Sequence, residues 1–437
     1  MEKLLEMAKK VSDQAEVFSQ EYADNAVSFQ NGGLHQIDSS FQCGLSLRII
    51  KDGKQGFAYT RNLINRQELL DNALVSLKGG VDAGFDFPLT ESAPKLDNCD
   101  HNLSKLTSGQ MVEEGQRVSD ILASKTDSEI LLTNYRHIDK TRLINTAGTD
   151  LAGESSHYII YMVAVFPGSG SGVFRIFKEK SYKVLPDSNI EEIANLFNLS
   201  KKDVKLKSGR IKALFMPNSI YTLGWRIQSG FNSKSIFEKT SPVADKQGQR
   251  IFSENLTIYD NPLDTEHPGA QAFDDEGVAC RRHTLIEKGV LQNFYYDLNY
   301  AAKLKTESTG HGFRTSMMGG DTITLKPIPS LTHLRIEPGT KSINELIKSI
   351  DRGIVIEGAM GAHSGNIPNG DYSIGVMPGF YIENGEIIGR VKDTMVAGNI
   401  YQTLKNVVDI GDTLYPSQGG GWVPPLVCDD VSVSAKN

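Results

Sequence analysis

The stretch AFDDEGVACRRH, residues 272–283, places three acids in a row, followed by a glycine, a cysteine, two arginines and a histidine. Carboxylate, thiolate and imidazole groups are all metal ligands, so the run has the composition of a metal site. Acids that precede a glycine also hydrogen-bond backbone amides in turns. Three interpretations stay open: a structural turn, part of a ligand cleft, or a private metal site. Cys280 and His283 would point to opposite faces of a strand, which counts against the metal site.

The residues after this run are typical of strands and tight turns. LIEKGVLQNFYYD at 285–297 is predicted to form a β-hairpin with a glycine turn. ESTGHGFR at 307–314 follows as a glycine-rich loop, and glycine lets a neighbouring group approach the backbone closely. His311 in this loop could serve a functional site, or it could be a turn residue paired with a local carboxylate. His363 in GAHSGN is open to the same two interpretations.

Farther towards the N-terminus, helical and strand patterns alternate over residues 1–205. Helices are predicted at the N-terminus, at 66–77, at about 108–124 and at 190–197, and strands from residue 25 and near 129–137, 141–146, 157–166 and 173–183. LSLRIIKDGKQGFAY at 45–59 predicts a hairpin, because Asp52-Gly53 permits the positive φ angles of a type I′ turn. Residues 79–105 lack periodicity and are predicted to be an irregular surface linker. GSGSG at 168–172 precedes a strand pattern, which favours a hairpin turn over a phosphate-binding loop or a nucleophile elbow.

Residues 206–437 are predicted to be rich in β-structure. RIKALFM at 210–216 reads as a strand, and PNSIYTLGWRIQSGF at 217–231 reads as a helix. A further helix is predicted at about 341–352 within a run of strands and glycine turns. The fold class is therefore α+β. An N-terminal domain, 1–205, mixes helices with antiparallel strands, and a C-terminal domain, 206–437, is mostly β-structure.

The bulk composition is that of an ordinary globular chain. It has 437 residues, a net charge of −7, 39% hydrophobic and 23% charged residues, and four scattered cysteines. The acidic balance counts against direct nucleic acid binding, which relies on lysines and arginines that neutralise phosphates. An amphipathic N-terminus unlike a signal peptide and the lack of a CxxC pair predict a cytoplasmic protein. No window approaches the roughly 18 apolar residues of a membrane span.

Four blocks of sequence, taken in order, resemble the TldD/TldE family, in which TldE is also named PmbA. They are GLSLRIIKDGKQGFAYTRNL at 44–63, the stretch 273–314 from FDDEG to STGHGFR, LRIEPGTKSINELIKSIDRGIVIEG at 334–358, and GDYSIGVMPGFYIENGEI at 370–387 with AGN at 397–399. No single block decides the assignment. Their order does, and the resemblance covers nearly the whole chain.

The resemblance implies a family of zinc metallopeptidases that were also described as modulators of DNA gyrase. In the TldD branch, a His-Glu-x-x-x-His helix and a cysteine near the C-terminus bind zinc, and the glutamate activates water. At the matching place this chain has Trp225 to Gly230, without histidine or glutamate, and Cys428 does not obviously match the zinc cysteine. The chain therefore resembles the TldE branch. We expect no metal or cofactor in this chain and zinc in a TldD-like partner.

The expected function is that of a TldE/PmbA-like subunit of a TldD/TldE-type metallopeptidase that acts on peptides or unfolded polypeptides. Catalytic residues are unknown. The candidates for lining the substrate cleft are Asp274, Asp275, Glu276, Gly277, Ser308, Thr309, Gly310 and His311. The expected partners are a TldD-like subunit and the polypeptide, with a homodimer when the chain is alone and no membrane. Two alternatives remain: a stand-alone peptide-binding or scaffold protein, and a self-sufficient hydrolase that uses His311 and the acidic cluster.

Overall fold

The computed structural model describes residues 1–316, 319–418 and 421–436. Within them the fold is α+β, as predicted. The α-helices are α1 Glu2–Lys9, α2 Arg66–Ser76, α3 Ser108–Lys125, α4 Asp187–Leu199, α5 Pro217–Phe231, α6 Ser233–Phe237, α7 Leu298–Leu304, α8 Ile343–Lys348 and α9 Ile400–Thr403. None of the helices in the described ranges combines the length and the apolarity needed to cross a membrane.

A seven-stranded sheet dominates the N-terminal part. Its strands are β1 Gln14–Gln30, β2 Gly33–Lys51, β3 Lys54–Thr60, β4 Val81–Asp82, β5 Glu129–Asn145, β6 Asp150–Val165 and β7 Gly172–Glu179. Their order is β4-β3-β2-β1-β5-β6-β7, and all neighbours are antiparallel. The prediction of short strands that start at residue 25 is wrong, because β1, β2, β5 and β6 each run for 16 to 19 residues. Polar residues on one face interrupt the apolar alternation that sequence analysis follows.

The two faces of this sheet have different chemistry. The outer face is apolar: Val17 and Leu47 pack against α1 and α2, while Val27 and Phe29 pack against α3 and α4. The inner face turns towards the C-terminal half of the chain. There Phe18 joins a small apolar cluster with Phe273 from the acidic stretch. Apolar contacts therefore occur on both faces of the sheet, and part of the inner face carries polar side chains.

The C-terminal part contains the remaining strands. They are β8 Gly209–Phe215, β9 Ile258–Asp260, β10 His283–Glu287, β11 Val290–Leu291, β12 Gly312–Phe313, β13 Ile328–Pro329, β14 Leu334–Ile336, β15 Arg352–Ile356, β16 Ala359–Met360, β17 Asp371–Val376, β18 Gly379–Glu383, β19 Glu386–Val391, β20 Thr394–Asn399, β21 Val407–Ile410, β22 Tyr415–Pro416, β23 Trp422–Val423 and β24 Leu426–Ala435. A nine-stranded sheet has the order β16-β17-β20-β24-β8-β15-β18-β19, with β21 on β24, and a six-stranded sheet has the order β11-β10-β9-β14-β23-β22. Helix α5 packs between these two sheets through Ile220, Leu223, Ile227 and Phe231.

Several local predictions are confirmed. Helix α5 spans the predicted residues, and the GSGSG stretch joins β6 to β7 as a hairpin turn. Asp52 and Gly53 both have positive φ, at 50° and 70°, as a type I′ turn requires. Helix α8 is shorter than its predicted range of 341–352. The domain boundary at 205/206 stays a prediction.

Residues 83–100 form no helix or strand, but they are not a free surface linker. Phe85 and Phe87 are buried against β2. The Thr90 hydroxyl donates to the Gly277 carbonyl at 2.6 Å, and the Asn98 amide donates to the Ala270 carbonyl at 2.6 Å. This segment, which we call the strap, connects the sheet to the acidic stretch of the C-terminal part through these contacts.

Candidate functional site

The acidic stretch and the glycine-rich loop lie side by side. The Asp274 carboxylate accepts the backbone N–H groups of Glu276 at 3.0 Å, Val278 at 2.9 Å and Gly312 at 2.9 Å. The Asp275 carboxylate accepts the backbone N–H of Arg314 at 2.7 Å. These hydrogen bonds hold the two segments together. Their acids serve backbone amides, as in a structural turn.

Glu276 belongs to a buried network of charges that ties the turn to the sheet. Its carboxylate accepts Arg48 at 3.0 Å and the backbone N–H of Leu298 at 2.7 Å. Arg48 also donates to Glu16 at 2.8 and 2.7 Å, and Arg314 contacts Glu16 at 3.3 Å. Burial disfavours the charged guanidinium, but the two glutamates outweigh it and raise the pKa of Arg48. We call Glu16, Arg48, Glu276 and Arg314 the charge network.

The eight predicted cleft residues differ in their access to solvent. Six are buried: Asp274, Glu276, Gly277, Thr309, Gly310 and His311. Asp275 and Ser308 are partly buried. Asp275 lines a cavity of 550 Å³. Asp275 is therefore the candidate that borders this cavity. Which of the eight residues contact a substrate stays a prediction.

His311 lies in a buried cluster of histidines around Asp260. Its Nε2 is 3.5 Å from an Asp260 carboxylate oxygen, and its ring centroid is 5.0 Å from that of His283. The other Asp260 oxygen accepts the backbone N–H of His333 at 2.9 Å. Burial lowers the pKa of His283 to about 4 and also lowers the pKa of His333. Sequence analysis missed Asp260 and His333, because neither lies in a local motif.

The 550 Å³ cavity lies on the inner face of the sheet. It is bounded by β5 and β6 and by the segments 91–98 and 270–275. A second cavity, of 530 Å³, shares Thr141, Ala152, Gly153 and Glu154 with it and extends over β1 and β2. We call the two cavities together the sheet groove.

Two carboxyl groups of the sheet groove have altered pKa values. Burial raises the pKa of Asp139, against the opposing hydrogen bond from Gln20 at 2.7 Å. Burial raises the pKa of Asp275 to about 6, and the charge of Asp139 adds to that increase. Both carboxyl groups therefore take up a proton more readily than an exposed aspartate does.

Beyond Asp139, the same face continues as a row of aromatic and imidazole rings. Asp24, His137 and His157 are direct partners across β1, β5 and β6, so their side chains share that face. One Asp24 oxygen contacts His137 Nδ1 at 2.6 Å and accepts the Tyr135 hydroxyl at 2.6 Å. The rings of His137 and His157 stack with centroids 5.7 Å apart. Burial and the nearby charge of Lys178 lower the pKa of His157 well below its usual value.

Helix α5 carries an arginine where the family resemblance places the metal-binding helix. Arg226 is fully buried, and its guanidinium donates to the carbonyls of Thr222, Ala362, Ser364 and Asp371 at 2.7–2.8 Å. Four carbonyl oxygens thus surround the buried positive charge of the Arg226 side chain. The helix offers no imidazole, thiolate or carboxylate. Its residues therefore do not fit a zinc ion.

Two groups of metal-ligand type occur elsewhere in the part of the chain that the structure describes. Cys99, His101 and Glu154 form the first, at the rim of the sheet groove. The second consists of Asp264, Glu266 and His267. Arg335 already pairs with Asp264 at 3.4 Å, so that group is an ion pair rather than a free ligand set.

Two protein-family profiles match this chain. A profile of the PmbA/TldA metallopeptidase C-terminal domain matches residues 208–435, and a profile of PmbA/TldA metallopeptidase domain 1 matches residues 15–76. The chain belongs to the PmbA/TldD metallopeptidase family. The membership that the four sequence blocks predict is confirmed.

Relatives of this PmbA/TldD family chain match it over nearly their whole length. An uncharacterized protein of Methanocaldococcus jannaschii is 25% identical and the match covers 98% of both chains. A metalloprotease of Methanothermobacter thermautotrophicus is 26% identical over 90% of this chain and 88% of its own. The solved structure of TldE from Thermococcus kodakarensis superposes with a TM-score of 0.90 at 23% identity and covers 100% of both chains. The fold is thus that of the TldE structure.

Proposed function

We propose that this chain is the TldE/PmbA-like subunit of a TldD/TldE-type metallopeptidase and holds no zinc of its own. A TldD-like partner would supply the zinc ion and the glutamate that activates water. The observation that carries the proposal is helix α5, which holds the buried guanidinium of Arg226 where the family resemblance places metal ligands. The family membership supports the peptidase assignment of the complex.

The role of this chain in the complex is to hold an extended polypeptide in the sheet groove. Asp139 and Asp275 would pair with backbone amides and carbonyls, since burial keeps their pKa values raised. The rings of His137 and His157 would contact side chains farther along the same face. Peptides or unfolded polypeptides fit such a surface, because only an extended backbone exposes its hydrogen-bonding groups.

Co-expression with a His-Glu-x-x-x-His paralogue, followed by a peptidase assay and metal analysis, tests the proposal. We expect cleavage and zinc in the complex, and neither in the isolated chain. One tightly held zinc ion per isolated chain would contradict it. Cleavage by the isolated chain would favour the self-sufficient hydrolase. Absence of cleavage from a well-formed complex would favour the scaffold protein.

The groove is tested by Asp275→Ala in that complex. Loss of one hydrogen bond that is also made in the transition state costs about 1–3 kcal/mol, or roughly a 5- to 150-fold fall in kcat/KM. Asp120→Ala, on the exposed face of α3, is the matched control and should leave kcat/KM unchanged. The melting temperature of each complex is measured in parallel. A folded Asp275→Ala complex that cleaves at the normal rate would remove the groove from the mechanism.

A further inference from the structure

The row of polar rings on the inner face of the seven-stranded sheet ends at a lysine. Lys178 on β7 is the direct partner of Ile159 on β6, and His157 lies two residues before Ile159. Residues two apart in a strand point to the same face, so Lys178 shares a face with His157 and with His137, the partner of His157 on β5. Lys178 therefore stands at the end of the polar face that leads away from the sheet groove.

The ammonium group of Lys178 lacks a counter-ion within residues 1–316, 319–418 and 421–436. No hydrogen bond or ion pair of its Nζ occurs among these residues. Burial and the nearby charge of Arg335 lower the pKa of Lys178 to about 8, and Arg335 itself pairs with Asp264 at 3.4 Å. A charge that is removed from water without a partner is costly, so an anion that enters here would be stabilised.

Lys178 borders a cavity of 190 Å³ between β7 and the C-terminal part of the chain. Pro217, Tyr415 and Trp422 give the cavity an apolar wall. Its volume is below the roughly 300–1,000 Å³ of sites for small-molecule ligands, so it suits the last residue of a chain. The glutamates that line it already have cationic partners: Glu192 pairs with Arg175 at 2.8 Å, Glu357 also pairs with Arg175, and Glu179 pairs with Lys183 at 2.8 Å.

The imidazole beside Lys178 also has a free hydrogen-bonding atom. Nδ1 of His157 is buried and has no hydrogen-bond partner in the described part of the chain. Burial and the charge of Lys178 lower the pKa of His157 well below its usual value, which keeps the ring neutral. A neutral imidazole nitrogen can accept a backbone N–H. An ammonium group and an imidazole acceptor thus lie on one face at the same end of the sheet.

We propose that Lys178 binds the C-terminal carboxylate of the polypeptide, while His157 accepts one of its last backbone N–H groups. This inference rests on the proposed function, because it concerns the polypeptide in the sheet groove. A C-terminal carboxylate is an anion that every unmodified polypeptide carries, whatever its sequence, and its hydrogen bonds to an ammonium group are charge-assisted. Lys178 thereby gives the bound chain a direction, with its C-terminus at β7.

Peptide binding to the isolated full-length chain tests the carboxylate. The probes are N-acetylated penta-alanine as the free acid and as the C-terminal amide, titrated by calorimetry at pH 7. We expect the acid to bind roughly 10- to 100-fold more tightly, because the amide lacks the hydrogen bond between two charged groups. The difference should persist in Lys178→Arg and disappear in Lys178→Gln. Lys180→Gln, whose lysine pairs with Asp97 at 3.1 Å, is the control and should keep the difference.

The possible results separate this inference from the proposed function. Equal binding of acid and amide would overturn the inference and leave the polypeptide groove standing. Absence of binding by both peptides would also overturn it, whereas peptidase activity of the complex is measured separately by co-expression. An N-acetylated penta-alanine amide with one internal glutamate distinguishes the terminus from a side chain. If this peptide binds as tightly as the free acid, the assignment to the C-terminus is wrong.

Acetylation of lysines locates the contact. Acetic anhydride in limiting amount modifies neutral amines, and mass spectrometry measures the modification of Lys178 and Lys180 separately. A saturating amount of the acid peptide should slow the acetylation of Lys178 and leave that of Lys180 unchanged, and the amide should protect neither. Unchanged acetylation of Lys178 in the presence of the acid peptide would contradict the contact.

Thermal unfolding distinguishes binding from a structural role. Lys178→Met removes a partly buried charge that has no partner in the described ranges, so the melting temperature should stay the same or rise. A lysine that held the fold together would give the opposite result. A clear fall in the melting temperature of Lys178→Met would therefore overturn the proposal.

Discussion

Arg48 lies inside the molecule between two glutamates, and its position shows how single buried charges hold this fold. It is 1% exposed and bonds to Glu16 and Glu276, which come from the N-terminal and C-terminal parts of the chain. Buried ions are costly unless they are paired and hydrogen-bonded. The stretch that looks like a metal site in the sequence is therefore bound to an arginine instead.

Replacing Glu276 with alanine should destabilise the protein strongly. The change leaves Arg48 buried with one partner fewer, and breaking a buried pair costs about 3–5 kcal/mol. Glu287→Ala, at an exposed position on β10, should change the free energy of unfolding by no more than about 0.5 kcal/mol. Urea unfolding measures both. A Glu276→Ala protein as stable as the Glu287→Ala control would contradict the structural role.

His283 should make the protein sensitive to acid. Its pKa is about 4 in the fold because of burial, and about 6.5 in the unfolded chain. Between these pH values the unfolded chain binds a proton that the folded chain does not. The free energy of unfolding therefore decreases as the pH is lowered, by up to about 1.4 kcal/mol per pH unit. His283→Gln should flatten this slope, and His363→Gln, at an exposed site, should not. Urea unfolding from pH 4.5 to 7.5 checks it, and identical slopes for both variants would refute the assignment.

At the scale of elements, helix α5 organises the loop that it faces. Arg226 joins the helix to the carbonyls of Ala362, Ser364 and Asp371. These residues are distant in sequence, and the loop between β16 and β17 has no regular structure of its own. One side chain thus replaces the backbone pairing that the loop lacks.

The variant Arg226→Met should loosen this loop while α5 keeps its helix. Methionine fills much of the space, but the carbonyls lose their donor, and each unsatisfied buried group costs about 1–3 kcal/mol. We expect faster amide hydrogen exchange in residues 361–371 and a lower free energy of unfolding. Arg210→Met serves as the control, because Arg210 pairs with Asp430 at the surface. Unchanged exchange in the loop would show that other contacts hold it.

At the scale of the whole molecule, the two halves depend on each other. Glu16 and Arg48 come from the N-terminal sheet, while Glu276 and Arg314 come from the C-terminal part. If the two parts separated, each would be left with charged side chains that had lost their partners. The strap at 83–100 adds hydrogen bonds across the same junction.

The chain should therefore unfold in one cooperative transition. Both tryptophans, Trp225 and Trp422, lie in the C-terminal part, so their fluorescence reports on that part alone. Far-UV circular dichroism reports on the whole chain. Coincident urea midpoints from the two probes are expected for a single transition. Separate midpoints would mean that the charge network does not couple the halves.

The sequence by itself determined the features that depend on neighbours in the chain. Helix α5 follows from apolar residues at helical spacing after a proline, and the turn at Asp52-Gly53 follows from the φ angles of those two residues. The order of the family blocks identified the family without any contact being known. The signals for the helix and the turn lie within a short stretch of chain, the range over which periodicity and turn chemistry act.

Only the tertiary structure decided what the polar residues do. Arg48 and Glu276 are 228 positions apart, and Asp260 meets His311 and His333 from separate strands and loops. The continuous strand β5 was divided in the prediction, because its polar residues line a groove that exists only when the sheet is folded. Hydrophobic periodicity reports which residues avoid water, but it does not report which buried charge meets which. That pairing is set by chain topology, because a carboxylate serves a metal, a substrate or an arginine according to what the fold places beside it.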